Sequence, residues 1–445
     1  MLVLVLILAA GLTAEAQDAP QGKVLRLSMK RAVEIALTPE GSTRVALALE
    51  SVKQAQQQAR AAKSAFLPTI DGQVEEQSET VNLKTFGINF PSVPILGFKI
   101  PSFVGPFSVF DARASAQQSV FSFSDIKKYK AAKLAAAAST TDLDTTRNQV
   151  SDQVARAYLT ALRADAALQT AQADVDLSNA LEQLAQRQKD AGTGTGIEIT
   201  RAQVQLANDQ QKLLVADNDR RRAVLQLLRA MNLNLDADVE LTDKLSYAEV
   251  NVATLEASLD QARKERTELK AQQQREQVAR LNYDSVSAER LPTAGVFGNY
   301  GDTGLAVDSS RATRDVGVSL KVPIFDGFRR DARRAESLSQ YRQERTRTHD
   351  LEQQIELDVR LALDSFRSAK AQVQTAQDGL ALAQNEVAQA QRRYQAGVTN
   401  SIEVTDAQTR LDRARDNQIA ALYNYNLARI DLATATGTIA EYVNQ

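Results

Sequence analysis

The sequence predicts a mainly α-helical protein with a small β part, built from two tandem structural repeats. Two stretches almost free of glycine and proline are several times longer than the average globular helix of about 11 to 12 residues. A segment in which apolar and polar residues alternate precedes each of these stretches. The two halves of the chain also carry the same elements in the same order, which indicates an internal duplication.

The composition excludes several classes of function. The 445 residues include 53 basic and 55 acidic side chains, so the charge is nearly balanced and no nucleic-acid footprint is present. Because cysteine is absent, disulfides, thiolate catalysis and zinc–thiolate sites are excluded. The only histidine, His349, lies among charged residues of a helical stretch and is predicted to be solvated. No catalytic residue, cofactor site or metal site is predicted.

The N-terminus reads as an export signal. An apolar run from Met1 to Gly11 is followed by Ala14-Glu15-Ala16, which has the pattern of a cleavage site. We therefore expect a signal peptide over residues 1–16, which is too short to span a bilayer. Elsewhere no run approaches the roughly 18 consecutive apolar residues of a transmembrane helix.

The longest predicted elements are two helices, at about 124–190 and about 327–396. The first stretch contains neither glycine nor proline, and only Gly379 interrupts the second. At 1.5 Å per residue each helix would be about 100 Å long. Apolar residues recur at steps of three and four, as at Val150, Val154 and Tyr158, so the helices are predicted to pack along narrow stripes.

Strands are predicted where the hydrophobic period changes to two. Val316, Val318 and Leu320 alternate with polar residues, and Phe110 to Val120 shows the same alternation in the first half. The predicted strands are at about 70–81, 108–122, 293–301 and 313–324. The loop between the first two strands, Asn82–Pro106, is long and rich in proline, whereas the loop of the second repeat is short and polar.

Matching turns end the two long helices. Gly192 and Gly397 are followed by Ile-Glu-Ile-Thr-Arg-Ala-Gln and Ile-Glu-Val-Thr-Asp-Ala-Gln, and the register then holds without a gap. The resulting period is near 205 residues. The chain is predicted to divide into a first repeat at 17–232, an inter-repeat segment at 233–254, a second repeat at 255–437 and a tail at 438–445. The final helix of the first repeat is predicted at about 197–232, and that of the second repeat at about 400–436.

Four strands cannot form a closed barrel within one chain. In lipid every backbone donor and acceptor needs a partner, and known single-chain barrels use eight or more strands. Open strand edges therefore predict that several chains contribute to one shared barrel. The long helices could form either a solid coiled coil or a hollow tube. The tube is favoured because a solid rod gives no reason for the strands.

The duplicated halves carry several short motifs. These motifs are Leu67-Pro-Thr69 and Leu291-Pro-Thr293 before strands, Val322-Pro-Ile-Phe-Asp-Gly327 after a strand, and Tyr394-Gln-Ala-Gly397 before the final helix. In its duplicated halves and in these motifs the chain resembles the TolC-type outer-membrane efflux family. The resemblance covers essentially the whole mature chain. It implies a homotrimer in the outer membrane of a Gram-negative (diderm) bacterium, with a shared transmembrane β-barrel of twelve strands and a long α-helical barrel in the periplasm. It also implies two partners, a periplasmic adaptor and an inner-membrane pump.

The resemblance further implies a gate at the periplasmic tip, where the turns at Gly192 and Gly397 lie. Acidic residues after the second turn ring the pore in this family, and the matching residues are Glu403 and Asp406. They are three residues apart on a helix and share a face, so three copies would surround a constriction with carboxylates. Alternatively, Glu403 belongs to a capping box that starts at Asn400, and Asp406 complements the helix dipole.

A latch is the second implied feature of the tip. In the family a tyrosine before the second turn bonds to an acid near the first turn, and the matching residues are Tyr394 and Glu198. Thr399 replaces an arginine of some members, which departs from the strongest form of that latch. Tyr394 as a packing aromatic and Glu198 as a capping residue are the alternatives.

The predicted function is therefore a trimeric outer-membrane duct of a tripartite efflux or type I secretion system. A periplasmic coiled-coil scaffold or adaptor without a pore is the alternative. An exported hydrolase is disfavoured because the sequence has no P-loop, nucleophile elbow or zinc-protease motif.

Overall fold

A computed structural model describes residues 24–87, 102–250 and 253–444. The predicted signal peptide and the middle of the Asn82–Pro106 loop lie outside the described residues. The described chain is mainly helical with few strands, which confirms the predicted fold class. No helix in this part of the chain is both long and apolar enough to cross a membrane.

The elements of the first half are β1 (Leu25–Leu27), α1 (Met29–Leu37), α2 (Thr43–Lys63), β2 (Thr69–Asn82), β3 (Phe103–Phe121), α3 (Phe123–Asp190) and α4 (Gly196–Ala230). Those that follow are β4 (Val239–Leu241), α5 (Leu255–Glu265), α6 (Thr267–Ala288), β5 (Thr293–Gly304), β6 (Arg311–Lys321), α7 (Arg329–Gln395), α8 (Ser401–Thr436) and α9 (Ile439–Asn444). Strand, long helix, turn and shorter helix thus follow each other in the same order in both halves.

Three strand boundaries differ from the sequence-based expectation by three residues or more, one of them being the end of β5 at Gly304 rather than at residue 301. Strand β3 begins at Phe103 rather than near residue 108, so it takes up the end of the segment expected to be a loop. Strand β6 ends at Lys321 rather than at residue 324. Pro323 explains the early end because proline has no backbone N–H to donate to a neighbouring strand.

The four long strands form one antiparallel sheet in the order β2-β3-β5-β6. Its register aligns Ile70 with Ala116, Ala116 with Gly298, and Gly298 with Val316, so one cross-strand row of small and apolar residues crosses the sheet. On this face Val316 and Val318 of β6 are 82% and 79% exposed. Strands β2 and β6 are the outer edges of the sheet within the described chain.

The helices pack as two long hairpins. Helix α3 packs on α4, and α7 packs on α8, while α3 also contacts α8 across the two hairpins. Helices α2 and α6 pack on the strand-proximal halves of the long helices. The buried side chains are distributed along these seams and do not form one compact core.

The largest buried cluster lies near the middle of the molecule. It brings Tyr158 of α3 together with Leu227 and Met231 at the end of α4 and Ile430 of α8. The short strands β1 and β4 pair in parallel beside it, and Tyr158 Oη donates a hydrogen bond of 2.9 Å to the carbonyl of Leu27. Strand β4 of the inter-repeat segment is therefore held against the body of the molecule.

A candidate gate at the tips of the helical hairpins

The two turns predicted at the tip have the same backbone geometry. In the first, Gly192 adopts a left-handed φ of 76°, its N–H donates to Lys189 O at 2.9 Å, and Thr193 N–H donates to Gln188 O at 2.9 Å. In the second, Gly397 has a φ of 70° and Val398 N–H donates to Arg393 O at 3.0 Å. This pair of bonds defines a Schellman motif, in which glycine is favoured because it has no Cβ.

The helices that follow these turns begin differently. At the start of α4, Thr195 N–H donates to Glu198 Oε2 at 2.8 Å, so Glu198 acts as a capping residue. At the start of α8, Asn400 Oδ1 caps the helix by accepting from Ile402 N–H at 3.1 Å. The capping-box alternative therefore describes Glu198 but not Glu403.

Glu403 is turned back towards the end of α7. Its Oε1 lies 3.2 Å from Arg393 Nε, and its Oε2 accepts a hydrogen bond from Thr399 Oγ1. Both members of the ion pair remain more than a third exposed, so the pair is screened by solvent. Thr399 thus contacts an acid of its own hairpin at the position where some family members carry an arginine.

Asp406 lies one turn further along α8. It is exposed, and in the described residues it makes no hydrogen bond or ion pair within the chain. The Asp406 side chain is therefore free of contacts with other polar groups of the described chain, close to the second turn. Because Arg201 occupies the equivalent position of α4, the two repeats differ in charge at this level.

Tyr394 and Glu198 line one small cavity between the two hairpins, together with Ser401. The Tyr394 side chain is 5% exposed, and neither its hydroxyl nor that of Ser401 has a hydrogen-bond partner among the residues that the structure describes. Burial, together with the nearby Glu198 carboxylate, raises the pKa of Tyr394. The two predicted latch residues are therefore neighbours without being hydrogen-bonded.

Sequence reasoning missed a second contact between the hairpins, further from the tip. We call it the inter-hairpin ion cluster. It comprises five charged residues from three helices: Asp174 of α3, Asp209 and Lys212 of α4, and Asp412 and Arg415 of α8.

The contacts of the inter-hairpin ion cluster join both hairpins. Arg415 pairs with Asp174, and Lys212 Nζ lies 3.2 Å from Asp412 Oδ2 and 3.6 Å from Asp209 Oδ1. The Asp209 and Asp174 side chains are only 2% and 7% exposed. Three carboxylates therefore share two cations, and two of the three carboxylates are buried in the seam.

This imbalance perturbs the titration of the acids. Burial, reinforced by the nearby Asp412 carboxylate, raises the pKa of Asp174 to about 6, although Arg415 acts in the opposite direction. Burial also raises the pKa of Asp412. The sequence signal that could have identified the cluster is the position of Asp174 within the buried stripe of α3, between Ala171 and Ser178. A charge on an apolar stripe requires partners from other helices.

The family model described as outer membrane efflux protein matches residues 40–233 and 258–438. The chain belongs to this family. It is similar to the outer membrane protein TolC of Vibrio cholerae serotype O1, with 24% identity over 300 residues that cover 65% of this chain and 68% of TolC. It is also similar to the alkaline protease secretion protein AprF of Pseudomonas aeruginosa, with 24% identity over 340 residues that cover 74% and 69% of the two chains.

Solved structures agree with the fold of this outer-membrane efflux protein. The outer membrane protein VceC from Vibrio cholerae superposes with a TM-score of 0.75 at 17% identity, covering 92% of this chain and 96% of that one. The open state of the outer membrane channel MtrE from Neisseria gonorrhoeae also gives 0.75, at 16% identity and 92% and 88% coverage. The protein is therefore an outer-membrane efflux or secretion channel of Gram-negative type, and the pore-less scaffold alternative is disfavoured.

Proposed function

We propose that this outer-membrane efflux protein works as a homotrimeric duct. The observation that carries the proposal is the four-stranded sheet, which has an apolar face and whose edge strands β2 and β6 pair with no further strand of the described chain. Lipid offers no partner for the backbone groups of an open edge, so the edges must pair with other copies. Three copies would close a barrel of twelve strands, a size within the range of known membrane barrels.

The helical hairpins would continue this barrel as a tunnel. Helices α3 and α7 have 68 and 67 residues, which corresponds to a length of about 100 Å. We infer that the duct does no chemistry of its own and that transport is driven elsewhere. An inner-membrane pump and a periplasmic adaptor are the partners that such a duct would need at its tip.

We propose that the tip is a gate in which Asp406 and Glu403 attract cations. Asp406 has no partner among the described residues, and Glu403 is only partly neutralised by exposed Arg393. A ring of such acids would favour cations electrostatically. In planar lipid bilayers the wild-type protein should give discrete cation-selective currents. The double variant Glu403→Ala/Asp406→Ala should conduct more and select less.

The matched control removes two exposed acids from the shaft of α7, in the variant Asp364→Ala/Asp378→Ala. It carries the same change in charge but should keep the wild-type conductance, because it lies away from the constriction. Equal effects of the two double variants would refute the gate. Absence of any current from membrane-inserted trimers would refute the duct itself.

The latch is proposed to form when Glu198 exchanges its capping bond for one with Tyr394. The two side chains share a cavity, and the Tyr394 hydroxyl is buried without a partner, so a short movement would satisfy it. Tyr394→Phe keeps the ring and removes only the hydroxyl. We expect this variant to increase the fraction of time that the channel is open. An unchanged fraction would leave Tyr394 as a packing residue.

A further inference from the structure

Both long helices begin with a concentration of positive charge where the chain leaves the sheet. We define the basic belt as these eight residues: Lys127, Lys128, Lys130 and Lys133 of α3, and Arg329, Arg330, Arg333 and Arg334 of α7. The duplication aligns the two helix starts, since Val120 matches Val322 and Asp125 matches Gly327. One repeat uses lysine and the other arginine, so the shared property is the charge.

The stability of the helices does not explain the basic belt. Arg329 and Arg330 lie in the first turn of α7, where the partial positive charge of the helix makes cations unfavourable, and the lysines of α3 lie beyond the first turn, where the helix dipole does not stabilise them. Ion pairs within the chain account for some members: Lys127 Nζ lies 3.3 Å from Asp284 Oδ2, and Arg333 is 2.7 Å from Glu289 Oε1. Arg330 also lies 2.8 Å from Asp326 Oδ2, and Arg334 donates a hydrogen bond of 3.1 Å to Tyr283 Oη, so four members of the belt have partners within the chain.

Four members of the belt are largely free to act on a partner outside the chain. Lys128, Lys130 and Lys133 are exposed and make no ion pair within the described residues. The Arg329 side chain is 76% exposed, and its nearest acid, Asp326, is 3.9 Å away. At this distance and exposure the pair contributes little.

An exposed apolar band adjoins the belt on the side of the sheet. Ile324, Phe325 and Phe328 are 93%, 73% and 69% exposed, and Phe121 at the end of β3 and Phe123 at the start of α3 are exposed at the corresponding junction. The band continues the apolar face of the sheet, where Leu320 is 70% exposed. Aromatic residues followed by cations are typical of the boundary between hydrocarbon and headgroups.

We propose that the basic belt binds the anionic headgroups of phospholipids in the periplasmic leaflet of the outer membrane. The helices leave the sheet towards the periplasm, so the belt would lie at the headgroup level of that leaflet. Lysine and arginine both pair with phosphate, whereas a zwitterionic headgroup offsets its phosphate with its own amine. The belt would therefore prefer phosphatidylglycerol to phosphatidylethanolamine. This inference rests on the proposed placement of the sheet in the bilayer.

The test measures lipid enrichment around the full-length protein. The purified trimer is reconstituted in nanodiscs of phosphatidylethanolamine and phosphatidylglycerol, extracted gently, and the co-purifying lipids are quantified by mass spectrometry. Each cation near an anionic surface contributes about 1 kcal/mol, which corresponds to roughly fivefold in binding. We expect phosphatidylglycerol to be enriched over the bulk mixture, and Lys128→Gln/Lys130→Gln/Lys133→Gln to lower that enrichment at least about tenfold.

Two comparison variants make the result specific. Arg342→Gln/Arg345→Gln/Arg367→Gln removes the same charge from exposed positions along α7 and should keep the enrichment. The variant Lys128→Arg/Lys130→Arg/Lys133→Arg keeps the positive charge and should therefore keep the phosphatidylglycerol enrichment as well. If the triple glutamine variant does not assemble, Arg329→Gln alone should lower the enrichment about fivefold.

Two results would overturn the proposal. One is the absence of phosphatidylglycerol enrichment around the wild-type protein. The other is an equal loss of enrichment in the α7 control variant, which would mean that only net charge matters. Conductance measured on the same preparations separates this inference from the duct: currents without enrichment refute the basic belt alone, whereas absence of currents refutes the proposed function.

Discussion

Replacing Asp174 by asparagine should stabilise the protein at neutral pH, although it removes one partner of an ion pair with Arg415. The pKa of Asp174 is about 6, against an ordinary value of 3.8. This difference corresponds to a free-energy cost of about 3 kcal/mol for holding the ionised carboxylate in the folded protein. The favourable contact with Arg415 is already included in that balance. Asparagine has nearly the same shape and carries no charge at any pH.

The sign of the pH dependence follows from proton binding. Between about pH 4 and pH 6 the folded protein holds the Asp174 proton more tightly than the unfolded chain does. The contribution of this group to stability is therefore fully present below pH 4 and is lost as the pH rises through 6. Above pH 6 the variant Asp174→Asn should be more stable than wild type by up to about 3 kcal/mol, and below pH 4 the two should be equal.

The assay is thermal unfolding of the detergent-solubilised protein, followed by helical circular dichroism from pH 4 to pH 8. The control is Asp176→Asn, because Asp176 lies two positions away on α3 but is exposed. It should leave both the midpoint and its pH dependence unchanged. A variant Asp174→Asn that is less stable than wild type at pH 7.5 would show that the pair with Arg415 outweighs the cost of burial. Parallel pH profiles for the two proteins would refute the assignment to Asp174.

Three further substitutions test the backbone and the central cluster. Gly397→Ala should lower the free energy of unfolding by roughly 1 kcal/mol, because a φ of 70° is unfavourable for any residue with a Cβ. Gly379→Ala, in the middle of α7 with open space around it, should raise the free energy of unfolding by about 0.5 to 1 kcal/mol. Denaturant unfolding of the two variants gives the comparison, and a loss of stability in both variants would contradict this reasoning. Tyr158→Phe should lower the free energy of unfolding by about 1 kcal/mol in the same experiment, because the Leu27 carbonyl keeps its hydrogen bond of 2.9 Å from Thr242 N–H. A loss of several kcal/mol would mean that the Tyr158 hydroxyl stabilises more of the structure than the Leu27 carbonyl.

The duplication and its turns could be predicted because they depend on local chemistry. A glycine after a long run without glycine or proline marks the end of a helix, and the repetition of the pattern at Gly192 and Gly397 left little ambiguity. The strands followed from their period of two in the same way. Their ends were less well predicted: the alternation continues to Ile324, but Pro323 ends the ladder of hydrogen bonds at Lys321.

The candidate gate was only partly accessible from the sequence. The family resemblance pointed to Glu403 and Asp406, but only the three-dimensional structure distinguishes them, since Glu403 pairs with Arg393 and Asp406 is unpaired within the described chain. The capping role expected equally for Glu198 and Glu403 applies to Glu198 alone. The spacing of residues permits a capping role for both glutamates. At the second turn Asn400 caps the helix, and Glu403 contacts Arg393 and Thr399 instead.

The sequence by itself determined the repeated order of helix, strand and turn, and hence the family, because helix and strand periods are properties of a few neighbouring residues. Only the tertiary structure decided which charges meet. Asp174 and Arg415 are far apart in the chain and belong to different hairpins, and nothing in the duplication relates them. Their pairing, and the pKa of about 6 that burial gives Asp174, depend on how two hairpins pack, which is a long-range property that no local pattern encodes.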